Sequence, residues 1–217
     1  MEQNFIITEE MLETLAQKLE GTMSPKRYRH TAEVEKMAAR LGALYAPEYI
    51  MQLRAAALLH DITKEFSLQT QLQILQKFGI MIHYSDEISP KTLHARTAAL
   101  LIPEEYPAFA DPTILEAVRW HTTGREGMTV CEKLIYLADY IDLSRTFPDC
   151  VELREMFWGA DPAGMDTKAR EVHLRRVLIS SFDRTIRGLL EEGGLVSPET
   201  MLARNELIEE EHRAAQP

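Results

Sequence analysis

A histidine and an aspartate stand side by side at positions 60 and 61, at the end of the apolar segment AALLHDITK. Burying both side chains costs several kcal/mol unless they are paired or bound. Imidazole nitrogen and carboxylate oxygen together suit iron, manganese, cobalt, nickel or zinc. The dipeptide alone does not decide, because a satisfied core histidine beside a capping aspartate gives the same pattern. A metal site is therefore indicated only if other residues of ligand type accompany the pair.

Four such residues occur on other segments of the chain. His30 lies within an amphipathic segment, and Asp139 is surrounded by apolar residues in LIYLADYID, where a carboxylate is seldom buried without a partner. His94 stands near the start of a further segment, and His121 lies in RWHTTGR. Helical bundles build metal sites from side chains that converge from facing helices. We therefore expect these four residues to meet the His-Asp pair.

Helix start and stop signals divide the chain into segments that can position these residues. Serine or aspartate before proline opens several of them, a Thr-x-x-Glu capping box opens another, and glycine follows the apolar run in several. No segment alternates with a period of two. We predict one all-α domain over 1–217, with nine or ten helices. The helices with clear start or stop signals span 8–19, 25–41, 49–60, 68–78, 90–101, 112–120, 130–141 and 166–190, and a short one begins at 198.

The composition limits the possible partners. The 217 residues carry 24 Lys and Arg against 34 Asp and Glu, a net charge of −10, which excludes nucleic-acid binding through the overall field. An anionic substrate would need local positive charge. The N-terminal segment lacks signal-peptide features, and no apolar run approaches the roughly 18 residues of a membrane span. The two cysteines form no CxxC pair. We expect a cytoplasmic protein without a membrane partner.

Longer strings at these positions resemble a known family. The order His30, His60-Asp61, Asp139 resembles that of the HD-domain metal phosphohydrolases. Four strings are similar to the YqeK-type branch, the bacterial symmetrical diadenosine tetraphosphate hydrolases: HDITK, HTTGREGMT, EKLIYLADYID and SRTFP. The resemblance runs from about Arg27 to the string ARNEL. It implies an HD domain with core motifs in 27–148, followed by C-terminal helices in 149–217.

The resemblance also implies a metal and its ligands. The implied ion is divalent, iron in preference to manganese, cobalt, nickel or zinc, and its ligands are His30, His60, Asp61 and Asp139. This set leaves open positions for water and a phosphate oxygen, and a metal lowers the pKa of bound water to about 7. In some HD enzymes the histidines equivalent to His94 and His121 hold a second metal; otherwise they contact phosphate and act as acid.

The implied reaction cleaves diadenosine tetraphosphate and related dinucleoside polyphosphates into two nucleoside diphosphates. The implied catalytic residues are Asp61, Lys64, His94 and His121. The implied nucleotide contacts are Arg27, Asp61, His94, His121, Thr122, Asp139 and Arg145. By position alone, Lys64 and Arg27 could instead be solvated charges and Thr122 a turn cap. An arginine such as Arg145 offers phosphate a bidentate pairing that lysine does not.

Two rival interpretations keep the same residues. One is an HD phosphatase for a deoxynucleoside monophosphate or a guanosine polyphosphate, because metal ligands contact only the phosphate. The other is a sensor that binds nucleotide without turnover. The expected partner is in each case a small nucleotide. The resemblance also implies that the protein forms a homodimer. We interpret His83 and His173 as solvated or structural, and Asp142 as a surface cap.

Overall fold

The computed structural model describes residues 6–214, where all regular structure is helical. The predicted domain also included residues 1–5 and 215–217, which lie outside the described residues. The all-α prediction is confirmed, and the described range holds eleven α-helices and four short 3-10 helices, more than the nine or ten predicted. The α-helices are α1 Glu9–Thr22, α2 Pro25–Tyr45, α3 Ile50–Leu59, α4 Leu68–Lys77, α5 Tyr84–Ile88, α6 Leu93–Glu105, α7 Pro112–Trp120, α8 Val130–Ile141, α9 Pro148–Gly159, α10 Thr167–Glu191 and α11 Pro198–Ala214.

The sequence prediction omitted α5 and α9. Helix α5 has five residues and buries none of them, so it carries no apolar periodicity. Helix α9 has a legible signal, because Pro148 occupies its first turn and the buried Cys150, Leu153 and Phe157 recur at helical spacing. Pro148 therefore begins a helix.

Gly42 was predicted to end α2, but the helix continues to Tyr45. A Cβ atom built on Gly42 would lie 2.8 Å from Leu53 Cδ1. The missing side chain therefore allows α3 to pack closely against α2. The final helix is also longer than predicted, since α11 spans 17 residues.

Helix α3 is the central element that positions the candidate site. It packs against α1, α2, α7 and α8, and its residues from Ala55 to Leu59 are all buried. Fully burying a leucine-sized side chain contributes about 1.5–3 kcal/mol, so this helix is firmly held. The same apolar cluster includes Phe182 of α10 and Leu207 of α11. No helix in the described range is long and apolar enough to cross a lipid bilayer.

The C-terminal helices contact the turn that follows His121. Gly124 in this turn has φ +63°, and a Cβ atom there would lie 2.7 Å from Phe182 Cζ and 3.1 Å from Ala203 Cβ. Both a left-handed backbone and a close approach therefore require glycine at this position. Helices α10 and α11 thus pack behind the candidate site through the turn between α7 and α8.

We predict that Gly124→Ala lowers the free energy of unfolding by about 1–3 kcal/mol, because it adds backbone strain and overpacking. Chemical denaturation of the purified protein measures this loss. Gly193→Ala introduces backbone strain without overpacking, since Gly193 has φ +67° and no neighbour within 4 Å of its Cβ position. Its loss of stability therefore measures the strain alone. Gly21→Ala, within α1 and equally open, should be neutral or stabilising. Equal stability of Gly124→Ala and wild type would contradict the packing argument.

Candidate metal centre

Six ligand-type side chains from five helices meet at one point. Two follow the last residue of α3, one follows the last residue of α7, and the others lie on α2, α6 and α8. They are His30, His60, Asp61, His94, His121 and Asp139. The expected convergence is therefore present in the structure. The helices place these polar groups at their ends or on inward faces, where the apolar core surrounds them.

Backbone carbonyl groups orient two of the histidines. His60 Nδ1 lies 2.6 Å from the carbonyl oxygen of Ala57, and His121 Nδ1 lies 2.7 Å from that of Val118. A carbonyl only accepts, so Nδ1 carries a proton in both rings and Nε2 points into the cluster. His60 Nε2 is buried and has no hydrogen-bond partner. Such an atom is uncommon in a protein interior and is suited to a metal ligand.

His30 presents its Nε2 to the same point. This atom lies 2.9 Å from Asp139 Oδ1 but is buried without an aligned hydrogen bond. His60 Nε2 lies 3.7 Å from the same oxygen. The ligand-type atoms of His30, His60 and Asp139 all lie within 4.8 Å of one another, which is close enough to share one ion.

Asp61 divides its two oxygens between two groups of histidines. Oδ2 faces His60 Nε2 at 3.4 Å and His30 Nε2 at 3.7 Å. Oδ1 faces His94 Nε2 at 3.2 Å and His121 Nε2 at 3.8 Å. A second possible metal group, made of His60, Asp61 and His121, overlaps the first. The two groups share His60, and Asp61 faces histidines of both.

Both carboxylates are ionised in this environment. Burial opposes ionisation of Asp61, but neighbouring histidine rings outweigh it and hold its pKa well below the usual range. Burial likewise opposes ionisation of Asp139, and the charges of Arg145 and His30 hold its pKa well below the usual range. The cluster therefore holds two ionised carboxylates, of which Asp61 is buried and Asp139 partly exposed.

The histidines divide into two electrostatic classes. Burial lowers the pKa of His94, and it holds the pKa of His121 well below its ordinary value. Burial has the same effect on His30, but the carboxylates of Asp139 and Asp142 outweigh it and raise its pKa to about 9. His94 and His121 are therefore neutral at neutral pH. His30, by contrast, interacts mainly with the carboxylates of Asp139 and Asp142.

Three cationic residues of the predicted site, the nucleotide contacts Arg27 and Arg145 and the catalytic Lys64, lie at its rim. Arg27 forms an ion pair with Asp61 and Arg145 with Asp139, and their side chains are 24% and 31% exposed. Lys64 Nζ lies 3.3 Å from each ring nitrogen of His94. Burial lowers the pKa of Lys64. These cations face the cluster on one side and solvent on the other.

Thr122 and Arg125 lie in the turn that follows His121. The Thr122 hydroxyl oxygen is buried without a protein partner, so it is not the turn cap considered as its alternative. The Arg125 guanidinium pairs at 2.7 Å with the buried Glu132, whose carboxylate also accepts from the Thr129 amide at the start of α8. Arg125 therefore fixes this turn to α8.

The interpretation of Asp142 as a surface cap was wrong, because its side chain is fully buried at the end of α8. Its Oδ1 accepts hydrogen bonds from the amide, at 2.8 Å, and from the hydroxyl of Ser144. Its Oδ2 lies 3.3 Å from both His30 Nδ1 and Arg145 Nε. Its spacing of three residues from Asp139 was the signal, since such residues share a helix face.

The remaining histidines of the sequence analysis lie outside the cluster. His83 is exposed and precedes α5, where its backbone amide donates to Asp86. His173 Nε2 lies 2.9 Å from the carbonyl oxygen of Phe157. Both cysteines are free thiols and buried. None of these four residues takes part in the candidate metal centre.

Comparison with known proteins places this cluster in a family. The HD domain family matches residues 27–144. The chain is 33% identical over 186 residues to the symmetrical bis(5'-nucleosyl)-tetraphosphatase of Bacillus subtilis, covering 86% of this chain and 91% of that protein. It is 32% identical over 193 residues to the enzyme of the same name from Halalkalibacterium halodurans, covering 87% and 92%.

A solved structure matches over nearly the same length. The crystal structure of a Clostridium acetobutylicum protein, described as a predicted HD superfamily hydrolase involved in NAD metabolism, has a TM-score of 0.78 and 31% identity to this chain. The match covers 91% of this chain and 97% of that protein. The family model spans all six ligand-type residues of the candidate metal centre. The chain therefore belongs to the HD-domain family.

Proposed function

We propose that this protein is a metal-dependent hydrolase that cleaves diadenosine tetraphosphate and related dinucleoside polyphosphates symmetrically into two nucleoside diphosphates. The observation that carries the proposal is the buried cluster of imidazole and carboxylate groups, in a chain that aligns over most of its length with relatives named for this reaction. The strings HTTGR and SRTFP support the dinucleoside substrate over other phosphate esters.

The proposed ligands of a divalent metal are His30, His60, Asp61 and Asp139. Two observations support them: the buried Nε2 atoms of His30 and His60 have no hydrogen-bond partner, and both carboxylates are ionised. Nitrogen and oxygen donors together suit iron, our preferred ion, and also manganese, cobalt, nickel or zinc. When bound, such a metal polarises a phosphoryl oxygen and makes water a stronger nucleophile at neutral pH.

The protein's own residues would bind and orient the polyphosphate. Arg27 and Arg145 at the rim can exchange a carboxylate partner for phosphate oxygens, which gives an acidic chain local positive charge. Asp61 would accept a hydrogen bond from the attacking water and so orient it. Lys64 would stabilise charge that develops on the phosphoryl oxygens.

The neutral histidines would complete the site. His94 Nε2 lies 3.1 Å from His121 Nε2, beside the carboxylate of Asp61 and the ammonium group of Lys64. We propose that His94 and His121 contact phosphate and that one of these neutral rings takes up a proton from the attacking water before it passes a proton to the leaving group. The Thr122 hydroxyl would donate to a phosphate oxygen, because no protein group satisfies it.

The assembly and location of the protein are also proposals. We propose that the helices in 149–217 belong to the same domain as the motifs in 27–148, because Phe182 and Leu207 lie in the core cluster of α3. A homodimer, the absence of nucleic-acid binding and a cytoplasmic location stay predictions. The partner would be the dinucleoside polyphosphate or its nucleoside diphosphate product.

We predict that the protein, purified under reducing conditions and supplied with iron or manganese, converts diadenosine tetraphosphate into ADP alone. Chromatographic separation of the products measures this, with a chelator and a deoxynucleoside monophosphate as parallel incubations. AMP together with ATP would contradict the symmetrical cut. Release of phosphate from the monophosphate, without cleavage of the tetraphosphate, would favour the alternative phosphatase. Tight binding of diphosphate without turnover would favour the sensor.

We predict that His60→Ala and Asp61→Ala each abolish metal retention and turnover, because each removes a ligand. Elemental analysis after gel filtration measures the bound metal. His83→Ala is the matched control, since it deletes an exposed imidazole outside the cluster and should retain metal. Wild-type metal content in Asp61→Ala would show that the ion binds elsewhere.

We predict that Arg145→Ala raises KM for the tetraphosphate by about 10- to 100-fold, as expected for the loss of a hydrogen bond to a charged group. Steady-state kinetics at saturating metal measure this effect. Arg184→Ala removes an arginine that pairs with exposed Asp149 and Glu152, and should leave KM unchanged. An equal KM for Arg145→Ala and wild type would show that Arg145 only pairs with Asp139 and does not contact the substrate.

A further inference from the structure

The segment that follows α8 reaches the side of His30 that faces away from the cluster. His30 Nδ1 lies 3.2 Å from the hydroxyl oxygen of Ser144, and that hydroxyl donates to Asp142 Oδ1. We infer that Ser144 and Asp142 are positioning residues that hold the proton of His30 on Nδ1 and thereby present its Nε2 to the metal. This inference rests on the proposed metal site and not on the identity of the substrate.

The direction of the hydrogen bonds follows from the groups themselves. A carboxylate has no proton to donate, so the single hydroxyl proton of Ser144 points to Asp142. The Ser144 oxygen can then only accept from His30, and Nδ1 must be the donor. The amide of Ser144 also donates to Asp142 Oδ1, at 2.8 Å, which fixes the carboxylate relative to the hydroxyl. The hydrogen bonds therefore run in one direction, from His30 Nδ1 to the Ser144 hydroxyl and from that hydroxyl to Asp142.

His30 needs such an arrangement because of its place in the fold. His60 and His121 follow the last residues of their helices and use a carbonyl oxygen three residues earlier. His30 lies inside α2, where the carbonyls of the preceding turn accept backbone amides. Its orienting acceptor must therefore come from another element, and the segment after α8 supplies it.

Arg154 of α9 holds this segment in place. Its guanidinium donates to the carbonyl of Asp142 and, at 3.2 and 3.3 Å, to that of Arg145. The backbone that carries the serine is thus bound at both ends. Asp142 Oδ2 also lies 3.3 Å from both His30 Nδ1 and Arg145 Nε, so one carboxylate contacts a proposed metal ligand and a proposed phosphate contact.

The first test is the metal affinity of Ser144→Ala, measured by equilibrium dialysis against Co²⁺ or Mn²⁺. We expect a loss of about 10- to 100-fold, the usual effect of removing a partner of a ligating histidine. Ser144→Thr keeps the hydroxyl and should restore most of the affinity. Ser181→Ala is the matched control, because it deletes a buried hydroxyl that bonds to the carbonyl of Leu178 in α10. A Kd for Ser144→Ala within twofold of wild type would overturn the inference.

A spectroscopic test reports on the proton directly. In the Co²⁺-loaded protein, the Nδ1 proton of each coordinated histidine gives a shifted proton resonance that disappears in D₂O. We expect Ser144→Ala to broaden or remove one such resonance through faster exchange, while the resonance of His60 remains. Ser144→Thr should restore it. An unchanged set of resonances in Ser144→Ala would contradict the proposed hydrogen-bond chain.

Asp142→Asn tests the link between the two sites. It removes the charge that faces both His30 and Arg145, so we expect weaker metal binding together with a higher KM at saturating metal. Ser144→Ala should weaken metal binding with little change in this KM. Equal effects on KM would contradict the separate roles. Normal metal binding by the wild type without cleavage of the tetraphosphate would refute the proposed function alone, whereas no metal binding would refute both.

Discussion

The buried carboxylate of Asp61 is the constraint on which the site depends. Its side chain is 3% exposed, at the end of an apolar helix, and an isolated charge there would strongly destabilise the fold. Histidine rings from four helices face its two oxygens, and Arg27 covers one of them from the rim. The helices must therefore pack in one arrangement for the charge to be compensated. The candidate metal centre and the stability of the fold share the same contacts.

Much of this arrangement could be predicted from sequence because its signals are local. Serine, aspartate and threonine caps begin helices where expected, as at Ser24, Asp111 and Thr129. The six ligand-type residues were identified from their types, apolar surroundings and order along the chain. Their convergence required only that the helices face one another, which is how apolar helix faces are buried.

The features that the sequence did not predict depend on contacts between distant residues. Gly42 resembled a helix stop, yet its function is set by Leu53 on the neighbouring helix. Asp142 resembled a surface cap: its spacing from Asp139 indicates a shared helix face, but nothing local indicates that the following turn bends back toward His30. Arg154, on a helix that was not predicted, holds that turn. Single-residue patterns describe helices well, but they do not report which side chain a turn brings to another helix.

The charges around the two carboxylates also connect the proposed metal site with the proposed substrate contacts. Arg27 and Arg145 pair with Asp61 and Asp139, the carboxylates assigned to the metal. The same guanidinium groups are partly exposed at the rim, where phosphate oxygens could take the place of a carboxylate partner. Asp142 would keep Arg145 beside the site during such an exchange, because its Oδ2 lies 3.3 Å from Arg145 Nε. Each arginine can therefore compensate a carboxylate in the fold and bind an anionic substrate with the same side chain.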